Sequence, residues 1–451
     1  VLGLNWRAFF ISSQQRERHM QILGPTRSGK SQLLLAVTAQ DMCQGMPCFL
    51  MEAKGDISDF HQFKALADLS GRLKDVRYFN PADLQSQTFN PIRPIPGQES
   101  ISVANQIARA IGREPGGEGD SEYFKNIDYA RIQAMTEIFL ATGKAFTLKD
   151  VFYYFEFVDS REKAFGLCED KALTDLARRQ FGNGNPDTTG LTANLRPWIS
   201  GKLGTLLNSY CPQIKLEDVF ENNRLAYFAI PIGHMQVLAN SLGRMIVAGL
   251  LAVANKRQRT LKKPSPASVI LDEFPEFATP VFAKFIATVG SAKLWTIFSH
   301  QDLGQLKRVV GMNPDDFFST LFTNSSGCKI LFHLPHPADA ELFAQAIGTR
   351  NSVKATELVE SNFLGERTTG KKSVREVEEF IAHPNVLKSL PAGWAVVLPH
   401  QKSAGLIATA SVHEILKDQK EIDLPALEGA PEEGLNLADA VKYLGESKKS
   451  K

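Results

Sequence analysis

The stretch Gly24-Pro25-Thr26-Arg27-Ser28-Gly29-Lys30-Ser31 constrains this chain more than any other. It has the spacing G-x-x-x-x-G-K-S, in which the glycines let the backbone curl so that several N–H groups point inward. Met20-Gln21-Ile22-Leu23 before it is a short apolar run suited to a buried parallel strand, and Gln32 to Ala39 after it opens an apolar helix. A strand–loop–helix unit of this kind gathers phosphate at a helix N-terminus, where the backbone dipoles favour negative charge. Gly24, Pro25, Thr26, Arg27, Ser28, Gly29, Lys30, Ser31 and Gln32 are therefore the candidate phosphate cradle. Lys30 would reach the β/γ-phosphates of a nucleoside triphosphate, and Ser31 would hold Mg²⁺. The bland alternative is a glycine-rich turn; the flanking strand and helix weigh against it.

A cradle needs a second half. Ser268-Val269-Ile270-Leu271-Asp272-Glu273-Phe274 is an apolar strand ending in adjacent carboxylates, the Walker B pattern. Asp272 would serve the Mg²⁺ shell, and Glu273 would act as general base toward the attacking water. One strand further on, Trp295-Thr296-Ile297-Phe298-Ser299-His300-Gln301-Asp302 ends in polar residues. Strand ends are where ligands collect in an open α/β sheet, so Gln301 is a candidate to sense the γ-phosphate or orient water. A surface glutamine opening the next helix is the alternative. His300 reads as a local hydrogen-bonding residue. Lys30, Glu273 and Gln301 form the candidate catalytic set, with ATP and Mg²⁺ as the cofactors; Ser31 and Asp272 are the metal candidates.

The remaining chain alternates strand and helix, with one long interruption. Met46 to Asp56 reads as a buried strand ending in a polar turn, Val76 to Asn80, Leu225 to Pro231 and Lys329 to Leu334 read as strands, and Pro391 to Leu398 as a turn and final strand. Glu52, Lys54 and Asp56 follow the second strand and are placed toward the phosphate loop. Ser121 to about Leu207 shows mainly helical periodicity, an inserted all-α subdomain. The fold class is α/β, with a mainly parallel twisted sheet plus that insert. The chain divides into a nucleotide-binding unit, 1–114, resumed over 211–415, an all-α insert, 115–210, and a tail, 416–451. Residues 353–375 are polar and without clear period, and read as a mobile excursion. The tail is expected to fray, with 435–444 a candidate short amphipathic helix. Arg16, Arg18 and His19 precede the first strand, as a solvated approach or as nucleotide neighbours. The basic run Lys256 to Lys263 reads as a helix end or as a contact to nucleic-acid backbone.

Composition excludes some classes. The net charge of +2 argues against a chain coated in positive charge. The five cysteines are odd in number and lack C-x-x-C spacing, so neither a disulfide framework nor a zinc site is indicated. The longest apolar run, Met245 to Ala254, is too short to span a bilayer. The chain starts at Val1, which suggests a fragment whose natural N-terminus has been removed.

Taken together, these motifs resemble the TraG/TraD-like coupling ATPases of bacterial type IV secretion and conjugation, relatives of FtsK-type DNA pumps. Glu52-Ala53-Lys54-Gly55-Asp56 is similar to the family's Asp-Pro-Lys-Gly-Glu turn, with Glu and Ala in place of its Asp and Pro. Phe89-Asn90-Pro91, the helical insertion, Leu271-Asp272-Glu273-Phe274, Ser299 to Leu306 and the Leu-Pro-Ala-Gly turn at 390–393 complete the likeness. It spans roughly residues 15 to 400. The resemblance implies a RecA-like nucleotide-binding domain with a membrane-distal all-α domain and ATP sites between subunits. It also implies a homo-hexamer anchored at the cytoplasmic face of the bacterial inner membrane. As a soluble piece without the anchor, a monomer is the alternative. The implied partners are relaxase-bound single-stranded DNA, secreted effector proteins, and the components of the type IV secretion channel. Many relatives carry an arginine near Val289 to Lys293; here Lys293 stands nearby, and Arg196, Arg244, Arg257 and Arg308 are the open candidates for a trans-acting arginine. A nucleotide-holding recruitment platform and a general DNA translocase are the rival functions.

Overall fold

The computed structural model describes residues 10–114, 120–181, 187–308, 313–324, 327–362, 365–400, 404–409, 411–416, 419 and 422–441. Its strands, in chain order, are β1 (Met20–Leu23), β2 (Cys48–Glu52), β3 (Val76–Phe79), β4 (Leu225–Ala229), β5 (Ala267–Leu271), β6 (Leu294–His300), β7 (Cys328–Leu331), β8 (Thr349–Asn362), β9 (Gly365–Phe380), β10 (Trp394–Pro399) and β11 (Gly405–Ala408). Nine of them form one sheet in the order β11-β10-β7-β1-β6-β5-β2-β4-β3. Strands β7 through β3 in that order are parallel, and β10 and β11 run antiparallel at one edge. The fold is α/β, a RecA-like sheet with helices on both faces. Strands covered on both faces read as continuous apolar runs, which is why Met20–Leu23 and Ala267–Leu271 carry little alternation.

The order of strands positions the site. β1, which feeds the phosphate loop, and β5, which ends at Asp272, are separated by β6. All three are parallel, so Gly24, Asp272 and Gln301 emerge at the same edge of the sheet. The helices Lys30–Cys43 and Ile57–Leu69 cover one face, over a core that includes Leu34, Phe60, Phe63 and Tyr227. On the other face one apolar cluster runs from Phe49 and Phe228 through the helices Ser100–Ala110 and Ile232–Thr260. It continues into the helices between 120 and 207, where Phe139, Tyr154, Leu195 and Trp198 are buried. The insert therefore shares its core with the sheet.

Several expectations are corrected. Helix Ile232–Thr260 is long and apolar enough to cross a membrane from Val237 to Thr260, but 61% of its most apolar window is buried inside the protein, as in a core helix. Residues 353–362 and 365–375 lie within β8 and β9, an antiparallel ribbon paired from Thr349↔Phe380 to Asn362↔Gly365, and 363–364 lie outside the described residues. A ribbon of this kind, lying outside the sheet, gives no period-two apolar signal in its polar sequence. The tail is docked over 433–437: Leu435 and Leu437 are buried, and Ala145 exchanges backbone hydrogen bonds with Glu433 and Leu435. Of the expected helix at 435–444, the structure describes helical residues 439–441, and 442–444 lie outside the described residues.

Of the lead-in, Arg18 is exposed as expected, whereas Arg16 and His19 pack into the protein away from the phosphate loop. The Arg16 guanidinium pairs with Asp41 and donates to Ser268 Oγ at 3.1 Å, and buried His19 accepts from Thr296 N through Nδ1 at 3.2 Å. Ser268 and Thr296 lie near the amino ends of β5 and β6, opposite the phosphate loop.

Candidate nucleotide site

The loop after β1 is shaped by what packs behind it. Gly29 has φ 111°, a left-handed conformation that costs glycine little, and starts helix Lys30–Cys43. A Cβ on Gly29 would lie 3.2 Å from Phe332 Cε1 and 3.3 Å from Gly393 Cα. A Cβ on Gly24 would fall 2.6 Å from Phe332 Cβ. Gly393 N donates to Ser28 O at 2.9 Å, so the Leu390–Gly393 turn braces the loop from below. Thr26 and Arg27 are exposed, whereas Ser28 is buried and its hydroxyl has no hydrogen-bond partner. A buried hydroxyl without a partner in this loop is a group that an incoming phosphate oxygen would satisfy.

Lys30 lies in the loop rather than beyond it. Its ammonium donates to Gly24 O and, at 3.2 Å, to Pro25 O, and sits 3.7 Å from Glu273 Oε1. Burial pushes its pKa down, and Glu273 and Asp272 oppose that shift. Glu273 has φ 54°, a left-handed position that strains a non-glycine residue and aims the carboxylate at Lys30. Gln301 Nε2 donates to Glu273 Oε1 at 3.1 Å. Burial raises the Glu273 pKa; Lys30 lowers it and Asp272 raises it further.

The two metal candidates meet. Ser31 Oγ donates to Asp272 Oδ2 at 3.3 Å. Lys54 Nζ donates to both, at 3.2 Å to Ser31 Oγ and 3.3 Å to Asp272 Oδ2. Burial disfavours the Lys54 charge, but Asp272, Glu273 and Asp59 outweigh it and the net shift is upward. A cationic group thus bridges the oxygens expected to bind Mg²⁺, so this donor set suits a hard cation. The other oxygen of Asp272, Oδ1, accepts from Ser299 Oγ and from Glu273 N at 3.1 Å.

Some assignments shift. Gln32 turns away from the loop: Nε2 donates to Gln62 Oε1 at 3.0 Å and Oε1 accepts from Ser411 Oγ. Asp56 caps helix Ile57–Leu69 by accepting from Ser58 N. Glu52 holds its own turn by accepting from Lys54 N and Gly55 N. His300 is buried, with burial lowering its pKa to about 4; its Nδ1 lies 2.9 Å from Asp302 O and its Nε2 2.8 Å from Gln21 Nε2. A neutral ring donating to the carbonyl and accepting from the amide fits both contacts. Ser299 was given no role by sequence reasoning, and a small polar residue at a strand end carries little signal. The start of the basic run is tied down, since Lys256 pairs with Glu221 and Arg257 donates to Ala292 O and Ser265 O, while Lys262 and Lys263 are exposed. Lys293 pairs with Glu17. Arg196 is exposed, Arg244 is half-buried, and the side chain of Arg308 lies outside the described residues.

Beside the loop a cleft of about 530 Å³ opens between Pro25, Gln301, Asp302, Asp315 and Asp339.

Residues 266–392, which include β5, β6 and β7, match the family described as the TraM recognition site of TraD and TraG. The chain is 22% identical over 355 residues to the type 4 coupling protein DotL of Legionella pneumophila, covering 65% of this chain. It spans about 45% of that relative's length. Among solved structures, the bacterial conjugative coupling protein TrwB in an unbound form superposes with TM-score 0.63 at 14% identity, covering 88% of this chain and 86% of that one. TrwB in complex with ADP and Mg²⁺ superposes with TM-score 0.59 at 13% identity, covering 90% of each.

Proposed function

We propose that this chain, a relative of the type IV coupling proteins, hydrolyses ATP and uses the cycle to pass substrate into a bacterial type IV secretion channel. The observation that carries the reading is the constellation of buried Lys30, Asp272 and Glu273 with half-buried Ser31 and Gln301 at the carboxyl edge of the sheet. Phosphate would draw the Lys30 ammonium off the carbonyls of Gly24 and Pro25, and Ser28 would gain the partner it lacks. Ser31 and Asp272 would hold Mg²⁺, which neutralises charge on the phosphate oxygens. Glu273 takes the proton of the attacking water, and burial makes it a stronger base than an exposed carboxylate. Gln301 fixes the Glu273 carboxylate and, through it, the direction of attack.

We extend the proposal to assembly and cargo. The chain would act as a homo-hexamer on the cytoplasmic face of the inner membrane, with ATP held between subunits and Arg196 available to a neighbour. Its cargo is relaxase-bound single-stranded DNA, effector protein, or both. Nucleotide-binding parts at 1–114 and 211–415, the insert at 115–210 and the tail from 416 are the proposed domains.

The test is ATP turnover against protein concentration, with and without single-stranded DNA, in the wild type, Lys30→Ala and Glu273→Gln. Turnover that rises steeply with concentration and DNA, and vanishes in both variants, supports the motor. Nucleotide binding with no turnover and no response to DNA points instead to a recruitment platform.

A further inference from the structure

Lys54 occupies a place that a passive surface lysine would not. Its ammonium, the Ser31 hydroxyl and the Asp272 carboxylate form a triangle with edges of 3.2, 3.3 and 3.3 Å. The turn that delivers it is fixed at both sides. Glu52 accepts from Lys54 N at 2.6 Å and from Gly55 N at 2.9 Å. Gly55 has φ 71° and lies so close to Pro231 that a Cβ there would meet Pro231 Cβ at 2.6 Å. The backbone is pinned, and only the four-carbon stem is free to move. That stem has somewhere to go, since the Lys54 side chain is 37% exposed while Asp272 is 4% exposed.

We propose that Lys54 is a resident counter-cation, which neutralises the metal position between Ser31 and Asp272 and is expelled into solvent when Mg²⁺ and nucleotide arrive. The inference rests on the nucleotide-site reading above. A buried carboxylate without a cation is costly, so a site that empties on each cycle gains from a built-in replacement charge. An ammonium carries one charge and three rotatable donors, enough to hold two oxygens yet weaker than a divalent ion. Two cations cannot share the same pair of oxygens, so binding of one ejects the other. Two consequences follow. Lys54 competes with Mg²⁺ and so weakens its apparent affinity. Its ejection also changes the surface beside Asp59 and helix Ile57–Leu69, which makes the turn a reporter of nucleotide state.

The experiment compares the wild type with Lys54→Gln, after equal melting temperatures have shown that both are folded. Fluorescent ADP is titrated with Mg²⁺, and the half-saturating Mg²⁺ concentration is read. The expected result is a several-fold lower half-saturating concentration in Lys54→Gln, with ADP binding in EDTA unchanged. In parallel, acetylation of Lys54 in the wild type is followed by mass spectrometry. It should speed up several-fold with Mg²⁺ and ADP together and stay slow with ADP in EDTA. An unchanged or higher Mg²⁺ requirement, or labelling indifferent to Mg²⁺, overturns the counter-cation. Loss of EDTA-phase ADP binding in Lys54→Gln also overturns it, because Lys54 would then grip phosphate directly. Failure of the wild type to bind ADP at all is a different result: it overturns the nucleotide-site reading, and this inference with it.

Discussion

Buried charge is handled in opposite ways at the two ends of this molecule. In the insert and the tail segment that meets it, the carboxylates of Asp150 and Glu432 are answered by donors of the chain itself. Asp150 accepts on Oδ2 from Thr147 N and Thr147 Oγ1, and on Oδ1 from Tyr210 OH at 2.8 Å and Leu437 N at 3.1 Å. Glu432 of the tail accepts from Arg93 and Lys215. At the sheet edge the charges are only half answered. Lys30 borrows carbonyls from its own loop, Glu273 is held in a strained backbone, Ser28 has no partner and Lys54 bridges two oxygens. Charges satisfied internally act as mortar, whereas half-satisfied ones are poised for a ligand.

The largest expected effect falls on the half-satisfied side. Lys30→Ala should lower ATP turnover by about a thousandfold, the scale of losing a preorganised charge at a transferring phosphoryl group. Its unfolding midpoint should move little, because the desolvation cost of Lys30 is removed together with its pairing to Glu273, and Glu273, whose pKa burial already raises, can take up a proton in response. Glu273→Gln should lower turnover by about 10²–10⁴-fold while ADP still binds. Turnover assays paired with melting curves check both. A large stability loss in Lys30→Ala would make it mortar and break the contrast.

Asp150→Ala should do the reverse. It strips the acceptor from four donors at once (Thr147 N and Oγ1, Tyr210 OH and Leu437 N) and should cost about 4 kcal/mol of unfolding free energy. ADP affinity should stay within about twofold, since no nucleotide-site group touches Asp150. Urea denaturation and ADP titration on the same preparation separate the two readouts.

Glu52 sits between the two classes, and pH sharpens its assignment. Burial raises its carboxyl from 4.5 to about 7, against the backbone bonds from Lys54 and Gly55. The folded pKa is above the unfolded one, so this stabilising contribution is full below about pH 4.5 and is lost as pH rises through about 7. The loss amounts to about 3 kcal/mol at 1.36 kcal/mol per unit. Glu52→Gln should flatten that part of the stability curve, read as urea midpoints between about pH 5 and pH 8. An unchanged slope would mean that the carboxylate is ionised across the whole range.

The half-satisfied side was far more legible in the sequence. G-x-x-x-x-G-K-S and the Leu-Asp-Glu strand end follow from local backbone chemistry, so Lys30, Ser31, Asp272 and Glu273 can be named from spacing alone. Gln301 needed a strand-end rule, and its contact with Glu273 depends on β6 lying between β1 and β5, an order that no local pattern encodes. Ser299 and the counter-ion position of Lys54 are properties of that same order. The mortar was nearly invisible. The tail segment that meets Asp150 has irregular backbone and few apolar residues, Leu435 and Leu437 among them, and periodicity reads neither. The β8–β9 ribbon was missed because its sequence shows no apolar alternation.

The Leu390–Gly393 turn tests whether the two classes are separable. Its polar groups are satisfied like mortar: Gly393 N donates to Ser28 O, and Gly393 O accepts from Thr409 N and Thr409 Oγ1. Yet its contact is with the phosphate loop, back to back with Gly29. At φ 80° an alanine costs about 1 kcal/mol even where there is room, and the nearest atom to a Cβ there is Thr409 Oγ1 at 3.7 Å. Gly393→Ala therefore strains the turn without a clash, and the strain can relax only by moving the turn or the loop above it. If the loop yields, ADP binding weakens by about fivefold and the melting temperature stays within a degree or two, about the reach of 1 kcal/mol in a chain this size. If the turn yields, stability falls and ADP affinity holds. The first outcome makes Gly393 part of the site, reaching it through backbone alone; the second returns it to the mortar.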